Sequence, residues 1–325
     1  MRAIQVKQFG DVNVLHMEEL NKPEPKAGEA LVSLHTAGLN FIDIYMRMGV
    51  SRFEVALPFI PGREGAGIIE AVGAGVTDVK PGDRVAFQGQ VGSYAEYICV
   101  KAGSLIPLPD DISFELGAAF PLQGMTAHYL VHEYYRIQPG DNVLVHAAAG
   151  GVGLLVVQML KKMGARVIGT VSTEEKARIA QAAGAHDVIL YTQQDFAAEC
   201  LKLTNGKGVD YIIDGVGKTT FNKDLEAVRT AGWICIFGSA SGPADPVLPN
   251  SLQAKSITLS GGALAVHVNT REKLLRRAND VIRAMREGWL EFKIDHVFPL
   301  DQAKEAQHLL ESRQTTGKVI LKIKA

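Results

Sequence analysis

The rhythm of apolar and polar residues changes twice along the chain. In the first third it has a period of two. Met1-Arg2-Ala3-Ile4-Gln5-Val6-Lys7 alternates and reads as a strand, as do residues 30–35, 67–72 and 84–87. Glycine and proline turns separate such runs, and Pro81-Gly82-Asp83 leads into the last of them. No helical periodicity runs far before Ser113. The pattern predicts a mainly β domain, with a partly open barrel as one way to close it.

Near Gln123 the rhythm becomes helical over 126–135. Pro139-Gly140-Asp141 then introduces a buried strand at 142–146. From there strands and helices alternate: helix 151–163, strand 166–170, helix 174–183, strand 187–190, helix 196–204, strand 209–214, helix 221–230, strand 233–237. Short apolar strands separated by helices predict a doubly wound parallel sheet. Residues 256–259 supply a candidate sixth strand. After Gly262 come a long amphipathic helix at 271–287, a helix at 301–312 and a strand at 318–322. These break the alternation, and periodicity alone leaves open whether they rejoin the first domain.

Composition narrows the class. The chain has 325 residues, 47% hydrophobic and 21% charged, which suits two globular domains. A formal net charge of −1 argues against a nucleic-acid coat or a strongly basic membrane surface. The longest apolar stretch, 143–160, carries His146, Gln158 and three bunched glycines, so it reads as strand, turn and helix rather than a membrane span. The N-terminus lacks the apolar stretch of a signal peptide. Cys99, Cys200 and Cys235 are scattered and odd in number, which suits free thiols in a reducing compartment. A cytoplasmic protein is expected.

The turn at that stretch carries the chemistry. His146-Ala147-Ala148-Ala149-Gly150-Gly151-Val152-Gly153 leaves a buried strand and opens a helix. Small residues there let the backbone approach a pyrophosphate, and the helix N-terminus offers free N–H groups and partial positive charge. In the G-x-G-x-x-G spacing Ala148 takes the first slot, Gly150 the second and Gly153 the third, where a glycine permits close helix–strand packing. The end of the next strand should carry an Asp or Glu if the ribose 2′-hydroxyl is to be bound. Instead it reads Ser172-Thr173-Glu174-Glu175-Lys176. Hydroxyls and a cation suit a 2′-phosphate, and two glutamates at a helix start favour its dipole. NADPH is expected over NADH.

The chain resembles the zinc-free quinone oxidoreductase branch (zeta-crystallin-like) of the medium-chain dehydrogenase/reductase superfamily over essentially its whole length. The resemblance rests on Gly38-Leu39-Asn40-Phe41-Ile42-Asp43, Pro61-Gly62-Arg63-Glu64-Gly65-Ala66-Gly67 and Val79-Lys80-Pro81-Gly82-Asp83-Arg84-Val85. It continues with Gly92-Ser93-Tyr94-Ala95-Glu96-Tyr97, Gln123-Gly124-Met125-Thr126-Ala127, the phosphate loop and Ser312-Arg313-Gln314-Thr315-Thr316-Gly317-Lys318. It implies an α/β fold: a Rossmann NADPH-binding domain over 124–264, and a mainly β GroES-like catalytic domain built discontinuously from 1–123 and 265–325. It also implies a cleft between domains for nicotinamide and substrate, and a homodimer through the Rossmann domain, with 256–262 as a candidate edge pairing.

Zinc-dependent relatives carry Cys at the position of Asn40 and His at that of Arg63, and a four-cysteine lobe that this chain lacks. A guanidinium cannot ligate a cation. His128 and His132 have zinc-compatible spacing on a helix, but no further ligand accompanies them, so no metal is expected. Without a Lewis acid, acceptors that delocalise negative charge are favoured, namely quinones and conjugated carbonyls. By resemblance, Asn40 and Tyr45 flank the nicotinamide and acceptor; an amide and a phenol can bind a carbonyl oxygen, and a phenol can donate a proton. Thr126, Gly150, Gly151, Val152, Ser172, Thr173, Lys176, Tyr191, Phe237, Gly238, Ser239 and Arg313 are the cofactor contacts expected. Asp43 and Glu64 are candidates for ion pairs with Arg47 or Arg63. The alternatives to a quinone reductase are an NADPH-dependent enone or enoyl-thioester reductase, and a crystallin-like NADPH-binding protein without turnover. A coenzyme A thioester asks for a basic track, and none is evident.

Overall fold

The computed structural model describes residues 1–50 and 55–324. They divide into two compact units. One comprises Met1–Leu122, Val268–Asp280 and Phe292–Ala325; the other comprises Gln123–His267 and Val281–Glu291.

The first unit opens with β1 (Arg2–Val6) and β2 (Leu15–Glu19), which pair antiparallel. Then come β3 (Glu29–Gly38), the short helix α1 (Phe41–Arg47) and β4 (Glu64–Val72). Three more strands follow, β5 (Arg84–Gln88), β6 (Tyr97–Lys101) and β7 (Leu105–Pro107). The helix α2 (Phe114–His132) closes this stretch, with the Ser113 hydroxyl accepting from Leu116 N–H at its start. It begins twelve residues before the expected 126. The reason lies in its sequence: apart from Gln123, residues 117–127 are small or apolar, so they carry no amphipathic period, and Pro121 sits inside. A proline withholds one ladder hydrogen bond without ending this helix.

In the second unit the alternation appears as expected. β8 (Asn142–Val145) leads through the phosphate loop into α3 (Gly151–Lys162). Then follow β9 (Arg166–Val171), α4 (Glu174–Ala183), β10 (Asp187–Leu190), α5 (Phe196–Leu203), β11 (Val209–Asp214), α6 (Phe221–Ala227), β12 (Val228–Ile236), β13 (Thr258–Gly261) and α7 (Leu264–His267). Helix boundaries have local causes. The Thr173 hydroxyl caps α4 and Gly184 ends it at φ 120°, while Asp195 accepts from two N–H groups at the start of α5. All sheet pairings are parallel, in the order β10-β9-β8-β11-β12-β13. Renumbered within the unit this is 3-2-1-4-5-6, the dinucleotide-binding order, whose crevice opens where strand order reverses between β8 and β11. Leu144, Ile168, Ile189, Ile212 and Ile234 form one apolar layer against Phe196, Ala197 and Cys200 of α5. Full burial of each such aliphatic side chain contributes about 1.5–3 kcal/mol.

The remaining elements are α8 (Arg271–Arg286), β14 (Ile294–Pro299), α9 (Ala303–Glu311) and β15 (Lys318–Lys322). The last two strands join the large sheet of the first unit, ordered β14-β15-β3-β4-β5-β7 with β6 also on β3. This sheet is curled by register shifts between Leu31 and Val32 and between Leu34 and Thr36 of β3. Gly67 of β4 lies opposite Leu34 at this irregularity, and a Cβ there would fall 2.1 Å from the Ser33 carbonyl oxygen. Replacement by alanine is therefore expected to destabilise the first unit by about 1–3 kcal/mol. Urea unfolding of Gly67→Ala should show a lower midpoint; an unchanged midpoint defeats this reading of the close approach.

Candidate functional site

The turn from β8 to α3 is built around approach distances too short for side chains. A Cβ on Gly153 would sit 2.2 Å from the Ala147 carbonyl oxygen, and one on Gly151 would overlap the Gln123 amide. Gly153 thus supplies the close helix–strand packing that the sequence anticipates. Ala147 takes φ 50°, a left-handed conformation, and its carbonyl accepts from Gly150 N–H at 2.8 Å. Gly150 caps α3 without any side-chain acceptor. The N–H groups of the first turn, on Gly151, Val152 and Gly153, have no intrahelical acceptor by geometry. A bare set of donors at the positive end of a twelve-residue helix, beside the switch point of the sheet, fits an anionic pyrophosphate.

The neighbouring strand ends complete that crevice. β9 runs out into Ser172, Thr173 and Lys176, with no carboxylate at the strand end itself. Glu174 and Glu175 are exposed in the first turn of α4. Lys176 is half-buried, and burial lowers its pKa with Glu175 opposing. Tyr191 N–H donates to the Val171 carbonyl and the Thr192 hydroxyl to that of Ser172, which brings the exposed Tyr191 beside this turn. Phe237 N–H donates to the Asp214 carbonyl at 2.9 Å, so Phe237, Gly238 and Ser239 leave the sheet next to the end of β11. Thr126 is buried on α2, three residues on from Gln123.

The first unit holds a second polar centre. Asn40 precedes α1 and is almost fully buried. Its Oδ1 accepts from Lys318 Nζ at 3.0 Å, and its Nδ2 donates to Glu64 Oε2 at 2.9 Å. Lys318 Nζ also donates to that Glu64 oxygen, while the other Glu64 oxygen accepts Leu122 N–H, just after Pro121. An ammonium only donates and a carboxylate only accepts, so together they fix which end of the Asn40 amide faces which way. Tyr45 lies half-buried on α1 with its ring 6.4 Å from that of Phe41. Arg313 is exposed at φ 59° between α9 and β15.

The ion pairs expected for Asp43 and Glu64 do not form. Glu64 pairs with Lys318, from a strand 254 residues later in the chain. Arg47 instead reaches Gln307 and Glu311 of α9, and Arg63 donates to the Gly89 carbonyl. Asp43 accepts from Asn40 N–H and from the Tyr94 hydroxyl through one oxygen; its other oxygen has no partner. Sheet pairing of β15 with β3 brings Lys318, rather than an arginine near in sequence, to Glu64. Lys318 went unrecognised because a lysine at a strand start reads as a solvated residue. His146, Asp214 and Asp224, clustered under the phosphate loop, were missed for a similar reason: the first two each stand alone in an apolar run, and Asp224 reads as a solvated position of a polar helix.

Comparison with known proteins fits this geometry. Residues 26–110 match the alcohol dehydrogenase GroES-like domain, and residues 151–280 match the family described as zinc-binding dehydrogenase, a stretch that includes neither Asn40 nor Arg63. The fold and site thus define a medium-chain dehydrogenase/reductase. A quinone oxidoreductase of Pseudomonas aeruginosa is 39% identical, over 98% of this chain and 99% of that protein. A 2-haloacrylate reductase of a Burkholderia species is 37% identical, over 99% and 98%. The crystal structure of Escherichia coli quinone oxidoreductase complexed with NADPH superposes with a TM-score of 0.96 at 36% identity, covering 99% of this chain and 100% of that one. The chain belongs to the quinone oxidoreductase family.

Burial pushes the Asp43 carboxyl up to about 7, against the lowering by Asn40 N–H, Lys318 and Tyr94. The folded state therefore keeps a proton that the unfolded chain releases near pH 3.8. Proton uptake on folding means that stability from this group falls as pH rises from that value to about 7, by on the order of a few kcal/mol. Asp43→Asn is expected to lose this component. Its stability relative to wild type should improve between pH 5 and pH 8, by urea titration; a constant difference contradicts the assignment.

Proposed function

We propose that the protein is an NADPH-dependent quinone oxidoreductase that works without zinc. Residues 1–123 and 265–325 form its catalytic domain and 124–264 its NADPH-binding domain. The observation that carries the reading is the carboxylate-free end of β9, where Ser172, Thr173, Lys176 and Tyr191 gather beside the uncapped start of α3. The α3 donors at Gly151 and Val152 bind the pyrophosphate, and Gly150 keeps the approach open. Lys176 and the hydroxyls of Ser172 and Thr173 hold the 2′-phosphate, with Tyr191 against the adenosine. Thr126, Phe237, Gly238, Ser239 and Arg313 complete the cofactor contacts.

NADPH, when bound, supplies hydride from its nicotinamide. Asn40, oriented by Lys318 and Glu64, hydrogen-bonds the nicotinamide side and the acceptor oxygen. Tyr45 or solvent delivers the proton that neutralises the developing negative charge. At the metal-ligand positions of zinc-dependent relatives this chain has an amide and a guanidinium, neither of which suits Zn²⁺. A quinone or conjugated carbonyl needs no Lewis acid, because it spreads the charge itself. The similarity to 2-haloacrylate reductase favours a second acceptor class, conjugated acids and enones.

A reducing cytoplasm suits three free cysteines. Among the described residues no helix is long and apolar enough to cross a membrane. β13 ends the parallel sheet, and its open edge is the surface through which two NADPH-binding domains would pair in a homodimer.

NADPH oxidation with an ortho-quinone, an enone and NADH as competing cofactor tests these statements together. Turnover with the quinone and a higher kcat/KM for NADPH are expected. Lys176→Ala should raise the KM for NADPH by about tenfold and leave that for NADH nearly unchanged. Equal use of the two cofactors overturns the 2′-phosphate reading, and stoichiometric zinc in the purified protein overturns the zinc-free one.

A further inference from the structure

Beneath the phosphate loop the apolar layer of the parallel sheet gives way to polar side chains on the same face. Leu144, Ile168 and Ile212 are followed two residues later by His146, Thr170 and Asp214, all buried. The His146 ring sits between two partners. Nδ1 is 2.9 Å from the Thr170 hydroxyl on β9, and Nε2 is 2.8 Å from Asp224 Oδ1 on α6. Asp224 abuts Asp214, the last residue of β11. Asp214 in turn accepts from Val216 and Gly217 N–H at 2.6 and 3.2 Å and from the Thr220 hydroxyl at 2.8 Å.

These residues are the last fixed points before the crevice segments leave the sheet. Ala147 directly follows His146 and opens the phosphate loop. Ala148 N–H donates to the Thr170 carbonyl, and Ser172 lies two residues beyond Thr170. Phe237 N–H donates to the Asp214 carbonyl. The ring thus links the 147–153 segment directly to the end of β9, which carries 172–176, and through Asp224 and Asp214 to the end of β11, on which 237–239 is hung. We propose that His146 is a positioning residue for the dinucleotide, holding these three segments in the spacing that NADPH requires. The inference rests on the reading that this unit binds NADPH.

The ligand atoms of His146, Asp214 and Asp224 lie within 4.8 Å of one another, a spacing that can hold a cation. Protein groups already occupy both ring nitrogens and the Asp214 oxygens, so hydrogen bonds within the protein hold this cluster together. Burial alone would lower the His146 pKa, but the Asp224 carboxylate leaves it raised; burial pushes Asp224 up to about 7, with His146 opposing and Asp214 assisting. The other titratable groups facing the cluster are Cys200 of α5 and Cys235 of β12, pushed by burial up to about 12 and about 11. The Phe196 ring meets the imidazole edge-on at 4.8 Å between centroids. The imidazole and the Asp224 carboxyl are thus the hydrogen-bonded pair through which pH reaches the cluster.

The test is the NADPH dissociation constant of the full chain, read from cofactor fluorescence. His146→Leu should weaken binding by about tenfold, and His146→Gln, which keeps a donor and an acceptor, should recover most of it. Around pH 7 the wild-type constant should show an inflection that the double replacement His146→Gln with Asp224→Asn lacks. Asp224→Asn, close to wild type in shape, should also weaken binding and carries the test if His146→Leu fails to fold. Wild-type affinity in the leucine variant, or in Asp224→Asn should the leucine variant not fold, overturns the proposal. So does equal weakening by leucine and glutamine in step with lost stability. A wild type that leaves NADPH unbound overturns the cofactor reading instead, and is told apart by that result alone.

Discussion

A charge taken out of water must be answered by another, and the ammonium of Lys318 is almost completely out of water. Glu64, equally buried, answers it. Removing either partner from such a pair typically costs about 3–5 kcal/mol, because the survivor is left uncompensated. That obligation fixes much else. It holds β15 against β3 and β4, engages the N–H that follows Pro121 in α2, and leaves the Asn40 amide one orientation. Gly38 has no side chain for the same reason, since a Cβ there would press on Glu64, Lys318 and the Ala118 carbonyl. The second unit meets the same rule differently. Its buried imidazole is answered by the Asp224 carboxyl, 2.8 Å away.

What the sequence made legible follows from how local each cause is. The elements α4, β10, β11 and β15 fall on the residues expected, because caps, turn glycines and apolar runs sit within a few positions of the boundaries they set. The phosphate loop was legible for the same reason, with all its determinants between Ala147 and Gly153. Short strands such as β2, β6 and β7 were not, since each is defined by a partner strand rather than by its own pattern. The first turns of α2 were not legible either, because their few polar residues do not gather on one face and leave no period to detect.

The polar centres were the least legible. Glu64 lies next to Arg63 and near Arg47 in sequence, yet its partner comes from the far end of the chain. His146 stood inside an apolar run, where a lone histidine carries no pattern of its own. Motif resemblance led to Asn40 without revealing what orients it. In both units the residues proposed to touch ligand are the ones a motif records, and the residues that hold them come together only once the sheets are assembled.

The 254 residues between Glu64 and Lys318 also set an order of events. At roughly 5–20 residues per second, a ribosome takes on the order of tens of seconds to cover that distance. Throughout that interval the carboxylate of Glu64 exists without its ammonium, while the whole stretch 123–267 emerges and can fold. The cofactor-binding half can thus mature during synthesis, whereas the centre around Asn40 is sealed only when β15 arrives. A nascent chain halted before that point would carry a finished nucleotide crevice and an open, charge-frustrated partner, the state most exposed to chaperones and proteases.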